Sequence, residues 1–370
     1  MPAHLRQLTA FRFFAAAWVV LFGFWGLLRP ESVFGPPPAL VAKGYLGVEL
    51  FFVLSGFILS HVYAEARTAG RFRYGGFIWA RVARIYPLHL LTTLAMGALA
   101  LLAGAIGAAV EHDVANPAAL PANLLLVHAW GVLPSGSWNH PSWSVSAEWA
   151  AYLAFPLFAA GVARLRGRPA VGLALGLAVV FAAYALFERA AGFPLTRATT
   201  GWGWLRIAPP FLYGCLLHGA WRDGAGPEGR AARLAALLFL AMMGVAAALQ
   251  APDSVTVGAA GGLILSLAGM SASGARALAS PAWVWLGEVS FALYMVKTPV
   301  EVSLGNVLKR LTGTADGAAW PLWSWLVLLA GALAAAAAAH HLVERPARTA
   351  LRRLGELRPA RPREEAAPSL

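Results

Sequence analysis

Ten apolar stretches, each about as long as a bilayer-crossing helix, constrain the fold of this chain most strongly. A transmembrane helix needs about 20 predominantly apolar residues to cross roughly 30 Å of hydrocarbon. Only 12% of the 370 residues are charged, about half the share in an ordinary soluble protein. The sequence therefore predicts an all-α fold, a polytopic membrane helical bundle of about ten transmembrane helices. The candidate spans are 8–28, 44–64, 86–110, 143–163, 170–188, 205–221, 232–250, 255–273, 283–304 and 320–343.

The remaining segments complete the predicted organisation. Residues 1–350 form the membrane domain, and residues 351–370, rich in Pro, Arg and Glu, are predicted as a disordered, basic cytoplasmic tail. The apolar segment 121–133 is too short to span a membrane and is predicted as a re-entrant or interfacial piece. The loop 111–142 is the longest outer connection, and it is either a simple connector or a lid over an acceptor site.

The distribution of Lys and Arg predicts the orientation of the bundle. The net charge is +12, and the basic residues concentrate in every second connection. Because cytoplasmic loops carry the excess of basic residues, this asymmetry favours N-in and C-in topology. It also accounts for the high isoelectric point, so the charge offers no support for nucleic-acid binding. The predicted cytoplasmic set is Arg6, Arg67, Arg71, Arg73, Arg81, Arg84, Arg164, Arg166, Arg168, Arg222, Arg230, Arg233, Arg276 and the tail from Arg345.

Two opposite charges lie deep in apolar segments. Glu49 opens the run GYLGVELFFVLSGFILS, and Lys297 lies within the ninth span. A charge at the centre of a membrane helix costs about 2.5–3.5 kcal/mol on insertion scales, so it requires a partner or a use. We therefore predict that Glu49 and Lys297 form a buried ion pair.

Three arginines are candidates for phosphate binding, and each also has an ordinary explanation as charge near the cytoplasmic side of the membrane. Arg12 lies one turn inside the first span, where it either reaches the cytoplasmic headgroups or contacts a phosphate. Arg81 and Arg84 are three residues apart and share a helix face, which suits bidentate phosphate binding. The alternative for this pair is ordinary positive charge at the cytoplasmic mouth of the third span, whose entry Tyr86-Pro87 marks.

The fourth and sixth spans carry a second polar group. Ser144 and Glu148 share a face beside Trp143, either as an interfacial helix cap or as part of a site. Arg206 falls on the predicted outer side, where positive charge is disfavoured, and therefore requires a partner. The sequence contains no Gly-rich phosphate loop, no His/Cys cluster with metal spacing and no GxSxG, so neither a metal site nor a hydrolase elbow is indicated.

Taken together in chain order, these motifs resemble the acyltransferase-3 family of integral membrane O-acyltransferases. The similar segments are LTAFRFFAAAWVVLF, GYLGVELFFVLSGFILS, FIWARVARIYP, PSWSVSAEWAAYLAFP, RIAPPFLYG, LGEVSFALYMVKTPV and VERP. They run along nearly the whole chain. The motif positions are Arg12, Glu49, Ser55, Arg81, Arg84, Trp143, Ser144, Glu148, Arg206 and Glu344.

The resemblance implies a multi-pass protein of the inner (plasma) membrane that transfers a short acyl group, often acetyl. The donor would be cytoplasmic acyl-CoA, with Arg12, Arg81 and Arg84 on its phosphates. The acceptor would be a hydroxyl of a surface carbohydrate, a glycolipid or a metabolite. Glu49 and Lys297 are the candidate catalytic residues, and no metal is implied.

The sequence departs from the family pattern where a histidine is expected eleven residues after the first-span arginine. Gly23 occupies that position, about 16 Å along the helix from Arg12. Lys297 also stands where the family often has a histidine. One hypothesis is an active enzyme whose base is relocated to Glu49, Lys297 or His61. The alternative is a catalytically silent relative that acts in membrane binding, export or scaffolding.

Overall fold

Ten long helices coincide with the ten predicted spans. The computed structural model describes residues 5–107 and 115–356, and these residues contain helices and turns but no strand. A further helix, α11 (Arg345–Glu356), follows the tenth. The long helices are α1 (Arg6–Leu28), α2 (Gly47–Thr68), α3 (Tyr74–Ala105), α4 (Trp143–Ala163), α5 (Pro169–Ala191), α6 (Gly203–Arg222), α7 (Gly229–Ala248), α8 (Asp253–Ala272), α9 (Pro281–Val300) and α10 (Leu322–Ala339).

The apolar surface of the helices identifies a multi-pass membrane protein. Eight stretches of the described chain are long and apolar enough to cross a bilayer, and they contain all the long helices except α6 and α9. Helix α6 is less apolar because it carries Arg206, His218 and Arg222, and most of its residues are buried among the other helices. A helix enclosed by protein needs less apolar surface than one that faces lipid. The N-in and C-in orientation stays a prediction.

Helix ends follow local sequence rules. Pro169 and Pro281 occupy the first positions of α5 and α9, where the missing backbone N–H costs nothing. Gly192 ends α5 in the left-handed conformation, with φ of 77°. Helix α3 begins at Tyr74, whereas the predicted span begins at residue 86, and the entry of this span at Tyr86-Pro87 stays a prediction. As a result, Arg81 and Arg84 lie within the helix rather than at its mouth.

Backbone contact between helices α2 and α6 forms the centre of the bundle. A Cβ atom at Gly56 would overlap the carbonyl oxygen of Phe211, and one at Gly214 would overlap the carbonyl oxygen of Val53. Gly287 of α9 meets the backbone of α1 at Thr9 in the same way. Small residues allow such close approach in membranes, where helix packing relies on van der Waals contact. These contacts place α2 beside α6 and α1 beside α9.

Two predicted segments differ from expectation. Residues 351–356 belong to α11 and are helical rather than disordered, and Trp79 Nε1 donates a hydrogen bond to the carbonyl of Leu351 at 2.6 Å. Residues 357–370 lie outside the described residues. The segment 121–133 contains only the end of a short helix, Leu120–Leu124, before an irregular stretch.

The loop 111–142 packs on the bundle over its described part, 115–142. Trp138 Nε1 donates to the carbonyl of Asn116 at 2.9 Å, and Asn139 Nδ2 donates to that of Met295 at 3.0 Å. Residues 111–114 lie outside the described residues. The role of this loop as a lid stays a prediction.

Candidate active site

A cavity of about 150 Å³ lies between helices α1, α2, α3, α4 and α9. Its lining extends from Arg12 and Arg81, in the first half of α1 and α3, to Val48 and Ser144, at the starts of α2 and α4. Its polar lining includes three arginines, two serines and two tyrosines, and Glu148 is the only acidic side chain among the described residues that line it. Apolar side chains from α2, such as Phe52 and Leu59, complete the wall. The cavity therefore combines positive charge, hydroxyl groups and one carboxylate in a mostly apolar enclosure.

The three arginines differ in their partners. Arg84 forms an ion pair with the buried Glu344, whose other oxygen lies 2.9 Å from His340 Nδ1. Arg81 donates to the hydroxyl of Tyr63 at 3.3 Å. Arg12 forms no hydrogen bond or ion pair with another described residue. Arg84 is thus fixed by protein, whereas Arg12 and most donors of Arg81 remain available to a ligand.

The carboxylate of Glu148 is held by a serine across the cavity. Ser55 Oγ donates to Glu148 Oε1 at 2.7 Å. This distance is within the range at which a catalytic base contacts a hydroxyl. Nearby, Ser144 Oγ lies 2.9 Å from the hydroxyl of Tyr294, and both groups lie within hydrogen-bonding distance of the carbonyl of Pro141. The motif residues Ser55, Ser144 and Glu148 therefore converge on one cavity.

The predicted ion pair between Glu49 and Lys297 is wrong. Glu49 is fully buried and accepts hydrogen bonds from Arg206 Nε at 2.6 Å and from the hydroxyl of Tyr184 at 2.8 Å. Arg206 also stacks on Trp143, with its guanidinium carbon 4.5 Å from the ring centroid. Glu49 and Arg206 are therefore each other's partner, and the pair satisfies both of the buried charges that the sequence left unpaired.

Lys297 lies apart from the arginine cavity, near the far end of α1. Its Nζ lies 3.2 Å from Glu301 Oε2 and 5.1 Å from the centroid of Phe24. A Cβ atom at Gly23 would overlap Lys297 Cε and lie 2.6 Å from Nζ. Lys297 therefore occupies the space that any larger side chain at position 23 would need.

Neither Glu49 nor Lys297 lines the cavity, so a catalytic role for either residue stays a prediction. The same holds for His61, whose ring lies 5.6 Å from that of His218 and outside the cavity. The geometry instead gives Glu49 the position of a structural ion pair and Lys297 a packing position against Gly23.

Comparison with known proteins decides the family. Residues 5–341 match the family model described as an acyltransferase domain. The chain belongs to the acyltransferase-3 family.

Two relatives of this acyltransferase-3 protein align over most of their length. The acyltransferase MdmB of Streptomyces mycarofaciens is 32% identical over 351 residues, covering 86% of this chain and 84% of MdmB. The exopolysaccharide production protein ExoZ of Rhizobium meliloti (strain 1021) is 31% identical over 317 residues, covering 82% of this chain and 89% of ExoZ. No solved structure matches the chain significantly.

Sequence reasoning missed the tyrosines of this acyltransferase-3 site. Tyr152 and Tyr294 line the cavity, and Tyr184 binds Glu49. Tyr152 lies four residues after Glu148, so helical spacing could have placed it on the same face. Tyr184 belongs to the fifth span, where no motif marks it, and only the three-dimensional structure reveals its contact.

Proposed function

We propose that this protein is a membrane O-acyltransferase that moves a short acyl group, acetyl in the simplest case, from cytoplasmic acyl-CoA to a hydroxyl of a surface carbohydrate, glycolipid or metabolite. The observation that carries the proposal is the cavity in which Arg12 and Arg81 face Ser55 and Glu148. We place the protein in the inner (plasma) membrane, with the starts of α1 and α3 toward the cytoplasm.

The arginines suit the donor because CoA carries several phosphate groups. Guanidinium groups bind phosphate oxygens through paired charge-assisted hydrogen bonds. Glu344 fixes Arg84, so its guanidinium is preorganised, whereas Arg12 and Arg81 face the cavity without an acidic partner among the described residues. The cavity volume of about 150 Å³ suits a thioester with a short acyl chain, while the nucleotide part of the donor would remain outside.

Glu148 is the proposed general base. In the transfer, the acceptor oxygen attacks the thioester carbonyl carbon while Glu148 takes the acceptor's proton. The carbon–sulfur bond then breaks, and the departing CoA thiolate takes the proton from Glu148. Atoms and charges balance without a metal or redox partner. Ser55 holds the carboxylate by its 2.7 Å hydrogen bond to Oε1, and we assign Oε2 to the acceptor.

A carbohydrate is the acceptor class that the relatives favour. ExoZ is named for exopolysaccharide production, and MdmB is named an acyltransferase. Sugars offer many hydroxyl groups, and their uncharged rings suit the apolar and aromatic wall formed by Phe52, Tyr152 and Tyr294.

Transfer from radiolabelled acetyl-CoA in membranes tests the proposal. Wild-type protein should label a glycan or lipid fraction, and Glu148→Gln should reduce the rate by about 100-fold or more, the usual contribution of a general base. Glu188→Gln is the matched control because Glu188 lies exposed at the end of α5, away from the cavity. Unchanged transfer by Glu148→Gln, or no labelled product from the wild type, would refute the proposal.

A further inference from the structure

A second cavity, lined by three arginines and one histidine, lies outside the proposed active site. Its volume is about 140 Å³, several times the roughly 30 Å³ that one water molecule occupies in the liquid. The basic lining residues are Arg67, Arg166, His218 and Arg222, and none of the described residues that line it is acidic. It shares no lining residue with the cavity that holds Arg12. We call it the basic cavity.

The basic cavity lies where three helices end together. Arg67 is in the last turn of α2, Arg222 ends α6, and Arg166 follows α4. Phe57 contacts both His218 and Trp221, and Val162 meets Gly219, so the carboxyl ends of the three helices converge. Helix carboxyl ends favour positive charge, which accounts for the presence of arginines there.

The helix ends do not explain why three nitrogens of these basic side chains lack hydrogen-bond partners among the described residues. Arg67 Nη1, Arg222 Nη2 and His218 Nε2 are buried, and each is without a hydrogen-bond partner among the described residues. Buried polar atoms are almost always paired, so three unpaired nitrogens around one cavity indicate a ligand. Asp223, the carboxylate next to Arg222, accepts hydrogen bonds from Arg222 Nε at 2.9 Å and from the backbone N–H of Gly167 at 2.7 Å.

We propose that the basic cavity binds a phosphate group. Guanidinium groups on three sides match the tetrahedral oxygens of phosphate, and the cavity holds no described carboxylate that would repel an anion. Ser60 also lines the basic cavity. The phosphate has two possible sources, an anionic phospholipid headgroup or the 3′-phosphate of a soluble nucleotide such as CoA. The lipid source is independent of the proposed acyl transfer, whereas the CoA source rests on acyl-CoA being its donor.

Binding measurements on the full chain in nanodiscs test the site and separate its sources. The soluble arm titrates CoA and 3′-dephospho-CoA into protein held in phosphatidylcholine. The lipid arm measures retained phosphatidylglycerol by native mass spectrometry after reconstitution in mixed lipid. Discrimination between the two nucleotides assigns the 3′-phosphate as the ligand, and selective retention of phosphatidylglycerol assigns the lipid.

The test variant is Arg67→Gln/Arg222→Gln, and the matched control is Arg164→Gln/Arg168→Gln. The control removes two exposed arginines from the same end of the bundle without touching the basic cavity. We expect the test variant to weaken the observed binding at least tenfold and the control to change it less than twofold.

Two results would overturn the proposal: wild-type protein that shows neither discrimination nor retention, or equal losses in the test and control variants. If the glutamine variant does not fold, Arg67→Lys/Arg222→Lys keeps both charges but removes the planar guanidinium groups. That variant should still weaken binding severalfold, because Lys cannot bind phosphate bidentately. Wild-type affinity in the lysine variant would then contradict the site. Loss of acyl transfer in Glu148→Gln bears only on the active site and leaves this result unaffected.

Discussion

Replacing Gly23 by alanine should destabilise the protein, although alanine normally stabilises a helix. Gly23 lies inside α1, where alanine is favoured over glycine by about 0.5–1 kcal/mol. The added methyl group would overlap Lys297 Cε, so the lysine side chain must move. The outcome depends on what the displaced lysine loses.

The structure gives the size of that loss. Lys297 would leave Glu301, an i,i+4 pair at 3.2 Å worth about 0.3–0.5 kcal/mol. It would also leave the face of Phe24, a cation–π contact worth about 0.5–2 kcal/mol. Taken together with the helix preference, Gly23→Ala should cost up to about 2 kcal/mol. In a Lys297→Ala background the obstacle is absent, and the same change should stabilise by about 0.5–1 kcal/mol.

Equilibrium unfolding with SDS in mixed micelles measures all four members of this double-mutant cycle. The expected coupling energy between positions 23 and 297 is about 1–2.5 kcal/mol. Gly26→Ala is the control, because a Cβ atom there has nothing within 4 Å. Gly26→Ala should not destabilise the protein in either background. Equal effects of Gly23→Ala with and without Lys297 would refute the reasoning.

Three further predictions concern a buried ion pair, an arginine of the cavity and one histidine. Glu49→Gln should cost about 3–5 kcal/mol in SDS unfolding because Arg206 loses its buried counter-charge, and Glu49→Gln/Arg206→Met should recover much of it. Arg81→Gln should raise KM for acetyl-CoA about tenfold or more while changing kcat less, as steady-state kinetics would reveal, because the Arg81 guanidinium faces the cavity without an acidic partner among the described residues. Burial lowers the pKa of His128 from 6.5 to about 4, so as the pH falls the unfolded chain binds a proton at this histidine before the folded protein does. Stability should therefore fall by about 3 kcal/mol between roughly pH 6.5 and 4, and His128→Gln should remove this loss in pH-dependent unfolding.

The positions of the long helices were predictable because apolar length determines them. Each of the ten predicted spans overlaps one long helix, and the largest difference, the start of α3 at Tyr74, arose from treating Pro87 as an entry point. A proline within a membrane helix is tolerated because neighbouring groups satisfy the freed carbonyl. Helical spacing also contains the Lys297–Glu301 pair, four residues apart, which the sequence analysis overlooked.

The partner of Glu49 could not be predicted in the same way. Glu49 and Arg206 are 157 residues apart, and nothing in a single sequence states which helices are neighbours. The cost of a buried charge required a partner for Glu49 and for Arg206, but Lys297 was an equally suitable partner for Glu49. Arg206 rather than Lys297 pairs with Glu49 because α2 packs directly against α6. Gly56 and Gly214 allow the two backbones to touch. Small residues thus determined the ion pair indirectly.

The motif residues form two layers, one made of a buried ion pair and the other of side chains that line a cavity. In one layer, Glu49 and Arg206 neutralise each other, and Tyr184 and Trp143 contact them, so α2, α4, α5 and α6 are tied together at full burial. In the other layer, Arg12 and Arg81 face a cavity where Glu148 is the only carboxylate in the described lining, so positive charge is left over. A saturated ion pair has no remaining capacity to bind a ligand, whereas surplus guanidinium groups beside a base can bind an anion and act on it. Under the proposed function, this surplus, rather than burial of charge itself, distinguishes the layer that binds the donor from the structural one.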